Sequence, residues 1–407
     1  PDAGSDLQSV MLKATFDEKE NCWRLNGVKR FITNGDADIH LVLARSVEGT
    51  RDGRGLSMFI YDKRNGGVNV RRIENKLGIH GSPTCELVYK NAKAELCGSE
   101  KLGLIKYVMG LMNGARLGIA SQSVGAEQAA YEEAINYARD RKQFGKAIIN
   151  FPAVYDMLAT MKAKLDAGRS LLYATSRYVD VYKIIEDIER ERKLEGGKLT
   201  AEERQECKVY SKLADAFTPL AKGMTSEYAN QNTYDGIQVH GGSGFMLEYA
   251  CQRLYRDARI LTIYEGTTQL QTVAAGRYIT NGFYGQVIAD MLQAGEAPAN
   301  VGTEDWCSAE LLPLKERVAK MAEKYNEAVA YVNEQKNDEF KDLCIRHLYE
   351  MAADCIMALL LIGDASKAPE LFKKSARVYT RYVASEVERH YDFVMSATPA
   401  DLDDYRK

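Results

Sequence analysis

Near residue 100 the hydrophobic pattern of this chain changes period, and that change constrains the fold more than any other feature. Before it, apolar residues recur at every second position. Leu12, Ala14 and Phe16 alternate, Glu20-Asn21 turns the chain, and Trp23, Leu25, Gly27, Lys29 and Phe31 resume the alternation. Asn34-Gly35 is a turn signal. Residues 41–44, 56–61, 68–73 and 86–89 read as four further short strands. After residue 100, Ile105, Val108, Met109 and Met112 recur at helical spacing. Val124, Tyr131, Ile135 and Ala138 follow, then Leu158, Met161, Leu165, Leu172 and Thr175. The pattern predicts an α+β chain: a small β-barrel or sandwich, then an antiparallel helical bundle.

The chain has 407 residues, enough for two or three domains with cores of their own. Residues 186–206 are highly charged and broken by Gly196-Gly197, and Thr200-Ala-Glu-Glu203 is a capping box that restarts a helix. This stretch reads as a solvent-exposed excursion between two bundle helices. Residues 213–230 return to helix, and 235–244 read as a Gly-rich loop. Gly295, Pro298 and Gly302 make 282–307 a linker. Three amphipathic segments follow, carried by Leu314 to Val332, Leu348 to Leu359 and Phe372 to Val387. The division is therefore a β domain at 1–98, a helical bundle at 99–282 and an extra C-terminal helical domain at 283–407.

Composition narrows the function classes. A net charge of -3 gives no general attraction to nucleic acid. From 284 to 407 there are 22 acidic and 15 basic residues, a poor match for phosphate. The eight cysteines are scattered with no C-x-x-C pair, which fits reduced thiols in a cytosol better than disulfides or a zinc site. No apolar run reaches the roughly 18 residues of a membrane span. The first residues, Pro1-Asp-Ala-Gly-Ser-Asp6, have no initiator Met and no targeting pattern, and read as a loop from within something longer.

The stretch richest in chemistry is 261–271, Leu-Thr-Ile-Tyr-Glu-Gly-Thr-Thr-Gln-Leu-Gln. Glu265 beside Ile263 and Tyr264 is expected to be poorly solvated, which makes a carboxylate a stronger proton acceptor. Gly266 can take backbone angles closed to other residues, and Thr267 can cap a helix that starts near Thr268. No dinucleotide fingerprint or P-loop is present, and the five histidines show no metal spacing. Other candidates are dispersed. Each has a bland alternative: Thr33 as a hairpin residue, Arg141 as a helix-end cation, Gly241-Gly242 as a turn. As a set they suit a flat aromatic cofactor bearing a pyrophosphate. Phe31 can stack on rings, Ser5 and Thr33 can donate to ring edges, and Arg141 and the Gly-rich amides can meet phosphates.

Read together, these segments closely resemble the acyl-CoA dehydrogenase family from Pro1 to about Gly282. Pro1 to Asp6 resembles its flavin loop, and Lys29-Arg-Phe-Ile-Thr-Asn-Gly35 the strand against the isoalloxazine. Arg141-Lys-Gln-Phe-Gly-Lys146 resembles the segment that reaches a neighbouring subunit's flavin. Gln238-Val-His-Gly-Gly242 is similar to the loop over the adenosine pyrophosphate, and Ile263 to Gln269 to the catalytic-base loop. The resemblance implies FAD as cofactor, Glu265 as the base, and flavin contacts from Gly4, Ser5, Phe31, Thr33, Arg141, Gln238, Gly241, Gly242, Thr267 and Gln269. It implies acyl-CoA contacts from Ser5, Asn113, Arg116, Tyr264 and Gly266. Many members carry Asp where Asn113 stands, and several carry a flavin-contacting Gln at Pro152. The extra helices resemble a larger bacterial subgroup that includes enzymes acting on methylthiopropanoyl-CoA.

The reaction implied is α,β-dehydrogenation of an acyl-CoA to the trans-2-enoyl-CoA, a step of fatty acid metabolism. Electrons would pass to an electron-transfer flavoprotein, and the assembly would be a homodimer or homotetramer. No metal, nucleic acid or membrane span is expected. The alternatives are an acyl-CoA oxidase using oxygen, and a family member recruited to bind DNA. Because the resemblance begins inside a motif, a preceding N-terminal helical domain is expected, and residues 1–407 alone are expected to bind flavin poorly.

Overall fold

The structure is a computed structural model that describes residues 4–297 and 306–406, with Asn113 described by its backbone alone. The described chain forms two compact units, Pro1–Ala115 and Arg116–Lys407.

The first unit is a small barrel. Its strands are β1 (Lys13–Asp17), β2 (Cys22–Thr33), β3 (Ile39–Arg45), β4 (Leu56–Asp62), β5 (Val68–Ile73) and β6 (Thr84–Leu96). β1 pairs antiparallel with β2, β2 with β6, β6 with β4, and β4 with β3. A parallel bridge from Lys13 to Arg45 closes the ring, and β5 lies along β6. Closure leaves few free sheet edges. Leu12, Leu25, Phe59, Tyr61, Leu87 and Tyr89 fill the interior. The β2–β6 register shifts between Lys29 and Ile32, and Phe31 within that bulge has φ 56° and is 68% exposed. A bulge of this kind re-aims a side chain, here an aromatic ring turned out of the barrel. Beside it Lys29 donates to the Leu43 carbonyl at 2.9 Å, and burial lowers its pKa to about 8.

The second unit is helical. α1 (Met109–Asp140, whose first residues belong to the barrel unit), α2 (Pro152–Leu194) and α3 (Ala201–His240) are long. A hairpin of β7 (Lys142–Gln143) and β8 (Lys146–Ala147) joins the first two. α4 (Ala250–Ala258), α5 (Thr268–Thr280) and α6 (Phe283–Ala294) follow, then α7 (Leu312–Glu334), α8 (Asp338–Lys367), α9 (Pro369–Ser396) and the short α10 (Leu402–Tyr405). The expected capping box is present: Thr200 accepts from the Glu203 amide and Glu203 from the Thr200 amide. Among the described residues no helix is long and apolar enough to cross a membrane.

Four expectations change. The stretch at 186–206 is no separate excursion, because α2 runs to Leu194 and α3 begins at Ala201. An Arg192–Glu203 ion pair of 2.5 Å spans the turn between them. Residues 235–240 are not loop but the last turns of α3, since Gly236 packs against Ala130 of α1 and does not end the helix. Residues 283–294 are not linker but α6, whose Tyr284, Val287, Ile288 and Met291 are buried between left-handed residues Gly282 and Gly295. Pro298 and Gly302 lie outside the described residues. Finally, α8 is not amphipathic between Met351 and Leu359, where every residue is buried. A helix apolar on all sides belongs in a core. α8 shares one apolar cluster with α2, α3, α5, α6, α7 and α9.

At one point α8 enters α3 itself. Pro219 inside α3 brings no amide hydrogen, and the Tyr349 hydroxyl donates to the Pro219 carbonyl at 2.9 Å. Gly223 makes room, because a Cβ there would lie 2.0 Å from the Tyr349 oxygen.

Candidate active site

The loop between α4 and α5 carries two successive residues in the left-handed region, Glu265 at φ 53° and Gly266 at φ 90°. For a glutamate this conformation is strained by about 1–3 kcal/mol, and it persists only where surroundings enforce it. Here they do. Lys222 Nζ on α3 donates to the Gly266 carbonyl at 2.6 Å, and Gln271 Nε2 on α5 donates to the same oxygen at 3.0 Å. Gln271 Nε2 also lies 3.4 Å from the Glu265 carbonyl, as does Arg116 Nε on α1. Two inward-turned carbonyls are thus held by three helices. Thr267 then caps α5 as expected, accepting from the Leu270 amide at 3.3 Å.

Electrostatics around the loop are cationic. Burial lowers the Arg116 pKa, opposed by the charges of Glu265 and Asp215. Burial also brings Lys222 down to about 8, aided by Arg116 and opposed by Glu227 and Glu265. Tyr264 is pushed up to about 12 by burial and by Glu265, so its hydroxyl keeps its proton and donates to Gln122 Oε1 at 2.5 Å. The apolar cover expected from Ile263 is absent: that side chain is 45% exposed, because the loop turns it outward, and Glu265 is half-buried.

Beside the loop opens a polar cavity of about 620 Å³. Thr267, Thr268 and Gln269 line it from the loop side, Asn230 and Asp235 from α3, and Arg259 from the turn after α4. Thr268 Oγ1 donates to Glu227 at 2.7 Å on its wall. The hydroxyls, amides and carboxylates of this lining suit the hydroxyl-rich parts of a dinucleotide better than an acyl chain, and Arg259 and Lys164 are its cations for phosphate. The donor set is therefore compatible with the flavin cofactor expected from the sequence.

A second group of predicted residues collects at the far ends of α1 and α3. Tyr137 on α1 stacks on His240 at 4.3 Å and donates to Ser243 Oγ at 3.2 Å, which ties those two ends together. Arg141 follows α1 there and is exposed, as are Gln238 on the last turn of α3 and Gly241 and Gly242 just beyond it. On the barrel unit Gly4 and Ser5 are exposed in a bend, Phe31 stands on its bulge, and Thr33 is exposed at the end of β2, opposite Thr84. The Asn113 side chain, like Pro1 to Ala3, lies outside the described residues. The structure thus joins Arg116, Tyr264, Glu265, Gly266, Thr267 and Gln269 around one loop. Arg141, Gln238, Gly241 and Gly242 form a separate group.

Sequence reasoning missed Lys222, Glu227, Thr268 and Gln271. One signal was available: Lys222 interrupts the apolar stripe of Phe217, Leu220, Ala221 and Met224, where an unpaired ammonium is disfavoured.

Residues 1–92 match the middle domain of acyl-CoA dehydrogenase, 105–279 its C-terminal domain, and 280–402 a further acyl-CoA dehydrogenase C-terminal family. The 3-methylmercaptopropionyl-CoA dehydrogenase of Ruegeria pomeroyi is 37% identical over 295 residues, covering 67% of this chain and 47% of that protein. The caffeyl-CoA reductase-Etf complex subunit CarC of Acetobacterium woodii is 33% identical over 275 residues, 67% of this chain and 64% of that protein. The chain thus spans about half to two thirds of the length of these relatives. Among solved structures, acyl-CoA dehydrogenase of Bacillus anthracis complexed with FAD superposes over 97% of this chain and 67% of its own, with TM-score 0.77 at 24% identity, a likeness of fold alone. Barrel, bundle and C-terminal helices each find their counterpart, in order, and the chain belongs to the acyl-CoA dehydrogenase family.

Proposed function

We propose that this chain carries the catalytic base and most of the flavin site of an FAD-dependent acyl-CoA dehydrogenase. The observation that carries the reading is the clamped left-handed turn at Glu265, set beside a polar cavity. Strain held in place by buried donors is a mark of a site whose geometry matters. In this reading Glu265 removes the α-proton of the acyl thioester. The Glu265 backbone N–H polarises the thioester carbonyl as that proton leaves, since an α-proton is otherwise too weak an acid. Arg116 and Lys222 keep positive charge near the carboxylate, and Tyr264 and Gly266 border the acyl group with Asn113. Bound FAD would supply the acceptor for the β-hydride.

Thr267 and Gln269 would contact the cofactor at the cavity, and the resemblance adds Ser5, Phe31 and Thr33 as contacts of a flavin ring system. Gln238, Gly241 and Gly242 would lie over the adenosine pyrophosphate of a flavin, and Arg141 would serve the flavin of a second subunit, which would make the enzyme a homo-oligomer. The division into 1–98, 99–282 and 283–407 is kept as a functional one. The relatives' names support an acyl-CoA substrate, with a short thioether acyl chain as first candidate, and an electron-transfer flavoprotein as partner. One of them is a reductase. The same residues serve both directions, with Glu265 returning the proton to the α-carbon in reduction.

Anaerobic bleaching of the flavin by a panel of acyl-CoAs, including 3-methylthiopropanoyl-CoA, tests the reading. At least one saturated acyl-CoA should bleach it, and re-oxidation by oxygen should be slow. Fast re-oxidation would make the protein an oxidase, and bleaching by no acyl-CoA in the FAD-loaded, full-length protein would remove the function.

A further inference from the structure

The turn that carries Glu265 is held from beneath by a charged side chain that proton abstraction does not use. Lys222 has no exposed surface, and its Nζ donates to the Gly266 carbonyl at 2.6 Å. Packing alone does not call for a lysine here, since its helix neighbours Leu220, Ala221 and Met224 are apolar. An ammonium is disfavoured in such a place unless something needs its protons. The Gly266 carbonyl takes one of them, and it is the shorter of that oxygen's two bonds, the other coming from Gln271 Nε2 at 3.0 Å; a charged donor makes the stronger hydrogen bond.

The position of Lys222 is itself fixed by the C-terminal helices. One turn before it, the Tyr349 hydroxyl of α8 binds the Pro219 carbonyl at 2.9 Å and lies 3.5 Å from that of Leu220. The charged groups facing Lys222 are Arg116 from α1, Glu227 on α3 itself and Glu265 from the loop. Glu227 is in turn 3.5 Å from Arg346 of α8.

We propose that Lys222 is the positioning residue of the base: by gripping the Gly266 carbonyl it locks the Glu265–Gly266 turn in its left-handed form. This rests on the reading of Glu265 as the base. It goes beyond that reading by assigning the geometry of the base to a buried cation on another helix. Misplacing a catalytic group by about 1 Å can lower a rate by about 10²-fold. Burial and Arg116 bring Lys222 down to about 8. Loss of its proton leaves a neutral amine that donates more weakly to the Gly266 carbonyl and no longer attracts Glu265 and Glu227, so turnover falls on the alkaline side.

The test compares wild type with Lys222→Met and Lys222→Arg. Hydrogen–deuterium exchange read by mass spectrometry over residues 261–271 needs no turnover. Lys222→Met should speed exchange there by about tenfold or more, the scale of a lost hydrogen bond to a charged donor, with distant helices unchanged. Anaerobic flavin bleaching against pH is the second readout. Lys222→Met should lower kcat with little change in KM and abolish the alkaline limb. Lys222→Arg, whose charge persists at any accessible pH, should keep most of the loop protection and shift the limb away from pH 8. Unchanged exchange at 261–271 in Lys222→Met overturns the proposal. Should that variant not fold, an alkaline limb still near pH 8 in Lys222→Arg overturns it. Wild type that bleaches normally with Glu265→Gln equally active would instead overturn the base assignment, while the exchange data would still decide the grip on Gly266.

Discussion

Two turns of the helical unit share one local conformation and differ in what holds it. Phe144-Gly145 has φ 48° and 81°, and Glu265-Gly266 has φ 53° and 90°. In both, a residue that resists the left-handed region precedes a glycine that accepts it. The first is the two-residue tip of the β7–β8 hairpin, where Lys142 pairs with Ala147 and Gln143 with Lys146. A type I′ hairpin turn needs positive φ at both central residues, so its own ladder explains the geometry. Phe144 is left 93% exposed. The Glu265 turn has no ladder. Its carbonyls are held by Lys222, Gln271 and Arg116 from three helices. The same strain is thus sustained locally in one case and by tertiary contacts in the other. The second arrangement ties the backbone that carries Glu265 to three helices, and the first leaves the Phe144 ring exposed.

The largest effect should come from the charge on the tertiary turn. Glu265→Gln should keep fold and yellow colour yet lose at least about 10²-fold in turnover, the lower range for a positioned base. Steady-state rates alongside the flavin spectrum check this, and near wild-type turnover would strip Glu265 of the role.

Next comes a matched pair that bears on the comparison itself. At Gly266 a Cβ would lie 2.8 Å from Gln271 Nε2, whereas at Gly145 it would meet nothing within 4 Å. Gly145→Ala should therefore destabilise by the backbone term alone, about 1 kcal/mol. Gly266→Ala adds displacement of Gln271 and should reach roughly 2–4 kcal/mol, with loss of bleaching by acyl-CoA. Urea unfolding of both variants decides. Equal losses would mean that the clamp adds nothing to the turn.

The smallest effect on stability is expected beside the hairpin. Arg141→Ala and Phe144→Ala, both at exposed positions, should change unfolding free energy by less than about 0.5 kcal/mol. If the hairpin serves a second subunit's flavin, Arg141→Ala should still lower flavin occupancy and weaken the oligomer together. Size-exclusion profiles and the flavin-to-protein absorbance ratio measure both, and a variant fully yellow and fully assembled would leave Arg141 a helix-end cation.

Much of the architecture was legible because it depends on near neighbours. Alternation gave the barrel strands, Thr200 with Glu203 gave the start of α3, and Thr267 gave the start of α5. The errors came where a local signal met a long-range one. Gly236 looked like a loop residue, but it is buried against Ala130 within α3, so packing between helices carries the helix through it. Gly295 looked like linker, yet it only ends α6, whose apolar stripe is buried.

By itself the sequence determined the likeness to the acyl-CoA dehydrogenase family and the candidate residues that go with it, since side-chain identity and spacing are written in the chain. It also determined the left-handed tendency of Gly266 and the cap at Thr267, which depend on angles within a few residues. Only the tertiary structure decided that Glu265 shares that left-handed turn, because a glutamate takes it only under external restraint. It alone placed Lys222 beneath the loop, 44 residues away in sequence, and Tyr349 of α8 inside α3, 130 residues from Pro219. A buried donor finds its acceptor only when the helices that carry them pack, and no spacing along a chain records that meeting.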